Sequence, residues 1–185
     1  MALRTIVQEG DEVLTKKCRP VTVFDGRLAQ LLDDMGETMK DAHGLGLAGP
    51  QVGVLRRLFV ALDESALPEE PTPEEVEAFI PMVREFVNPE IIETEGEETS
   101  YEGCLSFPGE YGAIKRPTRV VVKAQDRSGK EFTFEADGLL ARCLCHEANH
   151  LDGITIADLA EYFYDPDTPH PLDHEMDSAP QEEDA

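Results

Sequence analysis

Asp137-Gly138-Leu139-Leu140-Ala141-Arg142-Cys143-Leu144-Cys145-His146-Glu147-Ala148-Asn149-His150-Leu151 is the stretch whose reading decides the fold of this chain. Apolar residues at 139, 140, 144 and 151 recur at helical spacing. Asp137 stands where an N-cap belongs, and Gly153 lies just beyond the end. The pattern predicts a helix from Asp137 to about residue 151. Within it lies an H-E-x-x-H sequence, His146 to His150. Positions i and i+4 sit one turn apart on one helix face, so both imidazoles can reach a single metal ion. Glu147 can then reach a water on that ion. The bland alternative is an exposed helix with two chance histidines. The apolar neighbours weigh against it, because a buried His and Glu are costly unless something compensates them.

A catalytic metal site usually takes three protein ligands and keeps one position open. The extended protease pattern would place a third His six residues after the second, but that residue is Ile156. His43, His170 and His174 remain, the last two in an acidic tail. Cys143 shares a helix face with His146 but lies about 10.5 Å along the axis from His150. Bonds of about 2.0–2.3 Å do not span that, so Cys143 reads as a pocket wall. Cys145 reads as a small buried hydrophobe, and Cys18 has no polar cluster near it in sequence. Cys104 sits in Glu102-Gly103-Cys104-Leu105-Ser106, with Pro108 behind it. That segment reads as a ligand with a close-approaching backbone, or as a structural turn. Gly44-Leu45-Gly46-Leu47-Ala48-Gly49-Pro50-Gln51-Val52-Gly53 lacks the Lys-Ser/Thr of a phosphate loop and follows a helix. It reads as a helix stop and loop, or as backbone approaching a substrate with Gln51 as an amide donor.

Around these segments, Phe24, Leu28, Leu31, Leu32, Met35 and Met39 line one face of an expected helix at 24–43, with Asp25 as N-cap and Gly44 as its stop. Strands are expected at 58–62, 85–88 and 99–101, and a hairpin at 119–125 and 131–136 around Asp126-Arg127-Ser128-Gly129. Residues 63–77 hold seven acids, three prolines and no Lys or Arg, which marks an acidic insertion at 63–80. Thr72, Pro73 and Glu75 within it resemble a capping box that starts a short helix. Residues 161–185 hold nine acids, four prolines and again no Lys or Arg. The expected organisation is one catalytic domain over 1–164 and a disordered acidic tail over 165–185. The fold class is α+β.

Lys and Arg number 16 against 39 Asp and Glu, a formal net charge of −23 over 185 residues. That balance excludes broad electrostatic binding to DNA and disfavours anionic membrane surfaces. No apolar run is long enough to span a bilayer, and no secretory signal is seen, so a cytoplasmic location is expected. Four cysteines in such a chain read as ligands, pocket residues or core rather than disulfides.

Taken together, the three segments resemble the peptide deformylase family, which carries G-x-G-x-A-A-x-Q, E-G-C-L-S and Q-H-E-x-x-H in this order. Here they read 44–51, 102–106 and 145–150, and the resemblance spans about residues 1–160. It implies a metal-dependent hydrolase that removes the formyl group from the N-terminal methionine of new polypeptides. It also implies Cys104, His146 and His150 as metal ligands and Glu147 as general acid/base to a metal-bound water. Gln51 and the Leu105 N–H would be oxyanion donors, and Leu45, Gly46 and Gly103 would pair with substrate backbone. The implied ion is ferrous iron, with zinc, nickel or cobalt able to replace it. The implied fold wraps antiparallel sheets around the central H-E-x-x-H helix, with a helix near the N-terminus. Leu139, Cys143 and the stem of Arg142 are candidates for the methionine slot, since 139, 143 and 146 share a helix face. Substrates of this family emerge from the ribosome, and an acidic tail is not expected to dock there on RNA. Three positions depart from the family pattern: Gly49 for Ala, Cys145 for Gln and Asn149 for Asp. The rival readings are a metalloprotease, a deformylase-like binder without catalysis, and a structural zinc domain.

Overall fold

In a computed structural model the described residues are 2–63, 82–165, 168 and 172. The expected insertion at 63–80, with its capping box at Thr72, lies outside them apart from Asp63, and so does most of the tail at 165–185. In chain order come a 3-10 turn Glu12–Thr15, α1 Gly26–Asp41, β1 Gly46–Ala48, a 3-10 turn Gly49–Val52, β2 Leu58–Asp63, β3 Met82–Glu95, β4 Glu98–Cys104 and β5 Phe107–Arg116. Then follow β6 Arg119–Gln125, β7 Glu131–Asp137, α2 Gly138–Leu151, α3 Ile156–Leu159 and β8 Tyr162–Phe163. The fold is α+β, and every strand pair is antiparallel: one sheet runs β1-β2-β3-β6-β7, the other β4-β5-β8.

Strand β2 explains the layering. Its side chains alternate between faces, as the period of two requires. Leu58 and Val60 join Leu28, Leu31, Leu32, Met35 and Met39 of α1 in one core. Phe59 and Ala61 join Ala141, Leu144 and Leu151 of α2 in another, with Phe86, Val120 and Val122. Each large side chain removed from water contributes about 1.5–3 kcal/mol. The larger sheet therefore has a helix on each face. The smaller sheet meets the opposite side of α2 through polar contacts from Glu102 and Arg116. Among the described residues no helix is long and apolar enough to cross a membrane.

Several expectations are refined. The Asp25 carboxylate caps α1 by accepting from the N–H groups of Arg27 and Leu28. Asp137 occupies the N-cap position of α2, but its side chain makes no capping bond; Gly138 turns there with φ +54, and its N–H donates to Thr118 O at 2.8 Å. Part of the glycine-rich loop at 44–53 becomes the edge strand β1. The strand expected at 85–88 continues to Glu95, because the register shifts between Val87 and Glu90. Pro89 has no N–H to give the ladder, and Asn88 takes φ +50 with its side chain bonded to Val21 and Gln125. Strand β5 has no counterpart in the sequence reading. Its Pro108, Gly109 and Gly112 are poor strand formers, and pairing along β4 overrides them.

The N-terminal segment is bound to α1 chiefly through the Asp34 carboxylate, 5% exposed, which accepts from Ala2 N at 3.0 Å, Gln30 Nε2 at 2.8 Å and Arg4 Nη2 at 3.1 Å. The Ala2 N–H, then the Gln30 amide and Arg4, hold this carboxyl below its ordinary value against the opposing effect of burial. A depressed folded pKa stabilises above the unfolded value and loses that contribution as pH falls through the folded one. Asp34→Asn should therefore unfold at lower urea than the parent at neutral pH. The gap should narrow below about pH 4 and close at more acid pH, as urea titrations at several pH values would read.

Candidate active site

Three donors converge where α2 faces the smaller sheet. Cys104 Sγ lies 3.4 Å from His150 Nε2, and the His146 and His150 Nε2 atoms are 3.2 Å apart. One ligand atom from each of the three residues falls within 4.8 Å of the others. A tetrahedral ion with bonds of about 2.0–2.3 Å holds its donors about 3.3–3.8 Å apart. The donor set thus fits a transition-metal ion by spacing and by chemistry. Among the described residues no fourth side chain joins the cluster, which is the arrangement of a catalytic rather than a closed structural site. His43 lines the cleft beside it without joining the donors, while His170 and His174 lie outside the described residues.

The surrounding shell is polar and buried. Glu102, 6% exposed, accepts from Arg116 Nε at 2.8 Å and Nη2 at 2.9 Å, a bidentate pair. The same carboxylate meets His146 Nδ1 at 3.1 Å, which turns Nε2 toward the donor cluster. Arg116 Nη1 also donates to Asn149 Oδ1, so Asn149 is tied through Arg116 to the carboxylate that holds His146. Arg116 carries no local sequence signal: the β4–β5 register sets it opposite Glu98, and its side chain reaches Glu102 further along the same strand. Cys145 is core, as its spacing implied.

Burial alone would lower the proton affinity of His146, but its contacts with Cys104 and Glu102 outweigh it and carry the pKa to about 10. Burial and the neighbouring His146 charge push His150 far below its ordinary value. Two rings at 3.2 Å cannot both be charged, which accounts for the opposite signs. Glu102 stays ionised: burial raises it, but Arg116 and His146 hold it below the usual carboxylate range.

Glu147 is 4% exposed, and burial raises its pKa to about 7, opposed by His146 and reinforced by Glu102. Its Oε2 and the Nδ1 of His150 are buried without a hydrogen-bond partner. Gly46 explains how the carboxylate fits, since a Cβ there would sit 2.4 Å from Glu147 Oε1. Gln51, 1% exposed, is aimed by its own loop. Its Oε1 accepts from Ala48 N at 2.8 Å, which leaves Nε2 facing Ser106 Oγ at 3.2 Å and Cys104 Sγ at 3.5 Å. The N-terminal strap ties this loop to the Cys104 segment. Val7 N donates to Gln51 O, Glu9 N to Ser106 O, and Gln8 Nε2 to Leu105 O at 3.2 Å.

A cleft of about 490 Å³ opens onto these groups, lined among others by Leu45, Gly103, Leu105, Leu139 and Cys143. Its two sides are sheet edges, β1 of the larger sheet and β4 of the smaller. All sequence-derived site residues therefore border one space or the donor cluster. Glu102, Arg116, Ser106 and the strap at 7–9 were not foreseen as contributors.

A sequence model described as polypeptide deformylase matches residues 3–163. The peptide deformylase of Caldicellulosiruptor bescii is 52% identical over 159 residues, covering 85% of this chain and 86% of its own length. That of Acetivibrio thermocellus is 48% identical over 167 residues, covering 90% and 89%. Among solved structures, the Thermotoga maritima peptide deformylase aligns with a TM-score of 0.75 at 36% identity, covering 88% of this chain and all of its own. The Legionella pneumophila enzyme aligns at 0.74 and 40% identity, covering 95% and 90%.

Two outcomes are expected of variants here. Cys104→Ser should purify with less metal than the parent; equal stoichiometry by elemental analysis would reassign the third ligand. Arg116→Leu leaves the Glu102 carboxylate buried with His146 in place of a full ion pair, and should cost about 3–5 kcal/mol in chemical denaturation.

Proposed function

The chain belongs to the peptide deformylase family, and on that premise we propose that it removes the formyl group from N-terminal formyl-methionine of newly made polypeptides, with Glu147 moving the protons. We treat residues 1–164 as the catalytic domain. The observation that carries the reading is the position of Glu147. Its carboxylate is buried against the β1 backbone, has an unpartnered oxygen, and is adjacent in the chain to one of three clustered metal donors.

Cys104, His146 and His150 would hold the ion, with ferrous iron as the proposed occupant; a thiolate and two imidazoles also suit zinc. When bound, it would supply a Lewis acid and an activated water at neutral pH. The other steps fall to this chain's own side chains. A peptide backbone extends between the β1 and β4 edges, pairing with Leu45, Gly46 and Gly103 as strand addition at open edges allows. The methionine side chain enters between Leu139, Cys143 and the Arg142 stem, which line the cleft. Glu147, with a proton affinity near neutrality, takes a proton from the attacking water and returns it to the departing amine. Gln51 Nε2, fixed by the Ala48 N–H, and the Leu105 N–H receive the charge that develops on the formyl oxygen. Residues 165–185 hold eight acids and no Lys or Arg, so ribosome contact is proposed on another face of the domain.

Glu147→Ala is expected to keep its metal while kcat on a formyl-methionyl peptide falls about 10²–10⁴-fold. Near-normal turnover would remove Glu147 from this role. The same peptide without its formyl group should remain uncut, and cleavage of its internal bonds would favour a metalloprotease instead.

A further inference from the structure

Strand β8 does work that the chemistry above leaves unexplained. Its two residues add to the far edge of β5, with Gly112 opposite Phe163 and Ala113 opposite Tyr162. The backbone join extends on both sides: Glu161 N donates to Ala113 O at 2.9 Å, and Tyr164 N to Tyr111 O at 2.7 Å. Tyr162 and Tyr164 both present their rings to Tyr101 of β4, edge to face, at centroid distances of 6.1 and 5.7 Å and interplanar angles of 86° and 82°. Tyr101 and Tyr111 line the cleft. The Tyr111 ring covers Gly103, where a Cβ would stand 3.0 Å from its Cε1. Tyr101 and Gly103 lie two apart on β4 and so share a strand face.

We infer that Tyr162 and Tyr164 are positioning residues, which hold Tyr101 as the cleft wall that receives the residues following methionine in the formylated peptide. The inference rests on the deformylase reading and adds a determinant of peptide affinity to it. Spacing sets which residues are affected. Tyr101 is three positions from Cys104, about 10 Å along a strand at about 3.3 Å per residue. An extended peptide with its formyl carbon at the metal donors covers that distance by its second or third residue. The methionine itself is bound elsewhere, so a loosened Tyr101 changes how longer peptides bind and leaves the reacting end in place.

The test compares formyl-Met-amide with formyl-Met-Ala-Phe-amide on the full-length, metal-loaded protein. Tyr164→Leu combined with Tyr162→Leu should raise KM for the longer peptide about tenfold, the scale of two lost aromatic pairs, with kcat unchanged. Both constants for formyl-Met-amide should stay within about twofold of the parent. Tyr164→Phe keeps the ring and should restore the parent KM of the Tyr164→Leu protein. Tyr101→Leu should reproduce the length-dependent rise, and adding Tyr164→Leu to it should change little further, because the two act through one contact. If the double Leu variant does not fold, Tyr101→Leu with and without Tyr164→Leu carries the test. Equal losses on both peptides, no loss on the longer one, or additive effects of Tyr101 and Tyr164 would overturn the inference. A parent protein inactive on both peptides would instead overturn the deformylase reading.

Discussion

The carboxylate of Glu102 is the constraint on which the rest of the site depends. It is an ionised group inside the protein, and such a group is tolerated only when its oxygens are fully engaged. Arg116 satisfies it with two parallel bonds from the neighbouring strand, and His146 adds a third from the central helix. These contacts join β4, β5 and α2, the elements that carry Cys104, Arg116 and the two histidines. Asn149 closes the network from the same helix through Arg116. Of the three clustered side chains, His146 is held from behind by Glu102, and Cys104 accepts from the Gln51 amide at 3.5 Å.

Against this satisfied shell, two buried atoms without partners stand out, one on Glu147 and one on His150. Interiors rarely tolerate such atoms, and sites that depart from the rule tend to be sites of function. For Glu147 the departure has a use. A carboxylate fully engaged like that of Glu102 stays ionised, whereas one buried with an oxygen to spare has its pKa raised to about 7. Two carboxylates in one site are thereby driven in opposite directions, Glu102 toward the ionised form and Glu147 toward the protonated one, which is the behaviour the proposed proton-transfer role of Glu147 calls on.

Sheet edges set the shape of the cleft. β1 and β4 each have a partner on one side only, and they border the same space. An exposed edge is usually a hazard, since it invites pairing with other chains. Here the cleft walls limit what can reach it, and a short N-terminal strap fixes the two loops that frame the donors.

Periodicity, with cap and turn residues, marked the helices expected at 24–43 and from 137 to about 151, found at 26–41 and 138–151, and the hairpin of β6 and β7, because their apolar residues recur at the helical or strand period. The H-E-x-x-H spacing likewise fixed the pairing of His146 with His150, since one helical turn brings them together whatever surrounds them. Cys104 was different: its spacing left ligand and turn open, and family resemblance chose between them. Strand β5, the reach of Arg116 to Glu102, the aiming of Gln51 by Ala48 and the addition of β8 were decided by tertiary structure alone. The addition of β8 depends on strands about fifty residues apart meeting in one register; β5 and its Arg116 depend on how that strand pairs with its neighbour β4, and Gln51 on how its own loop closes, neither of which has an apolar period to mark it.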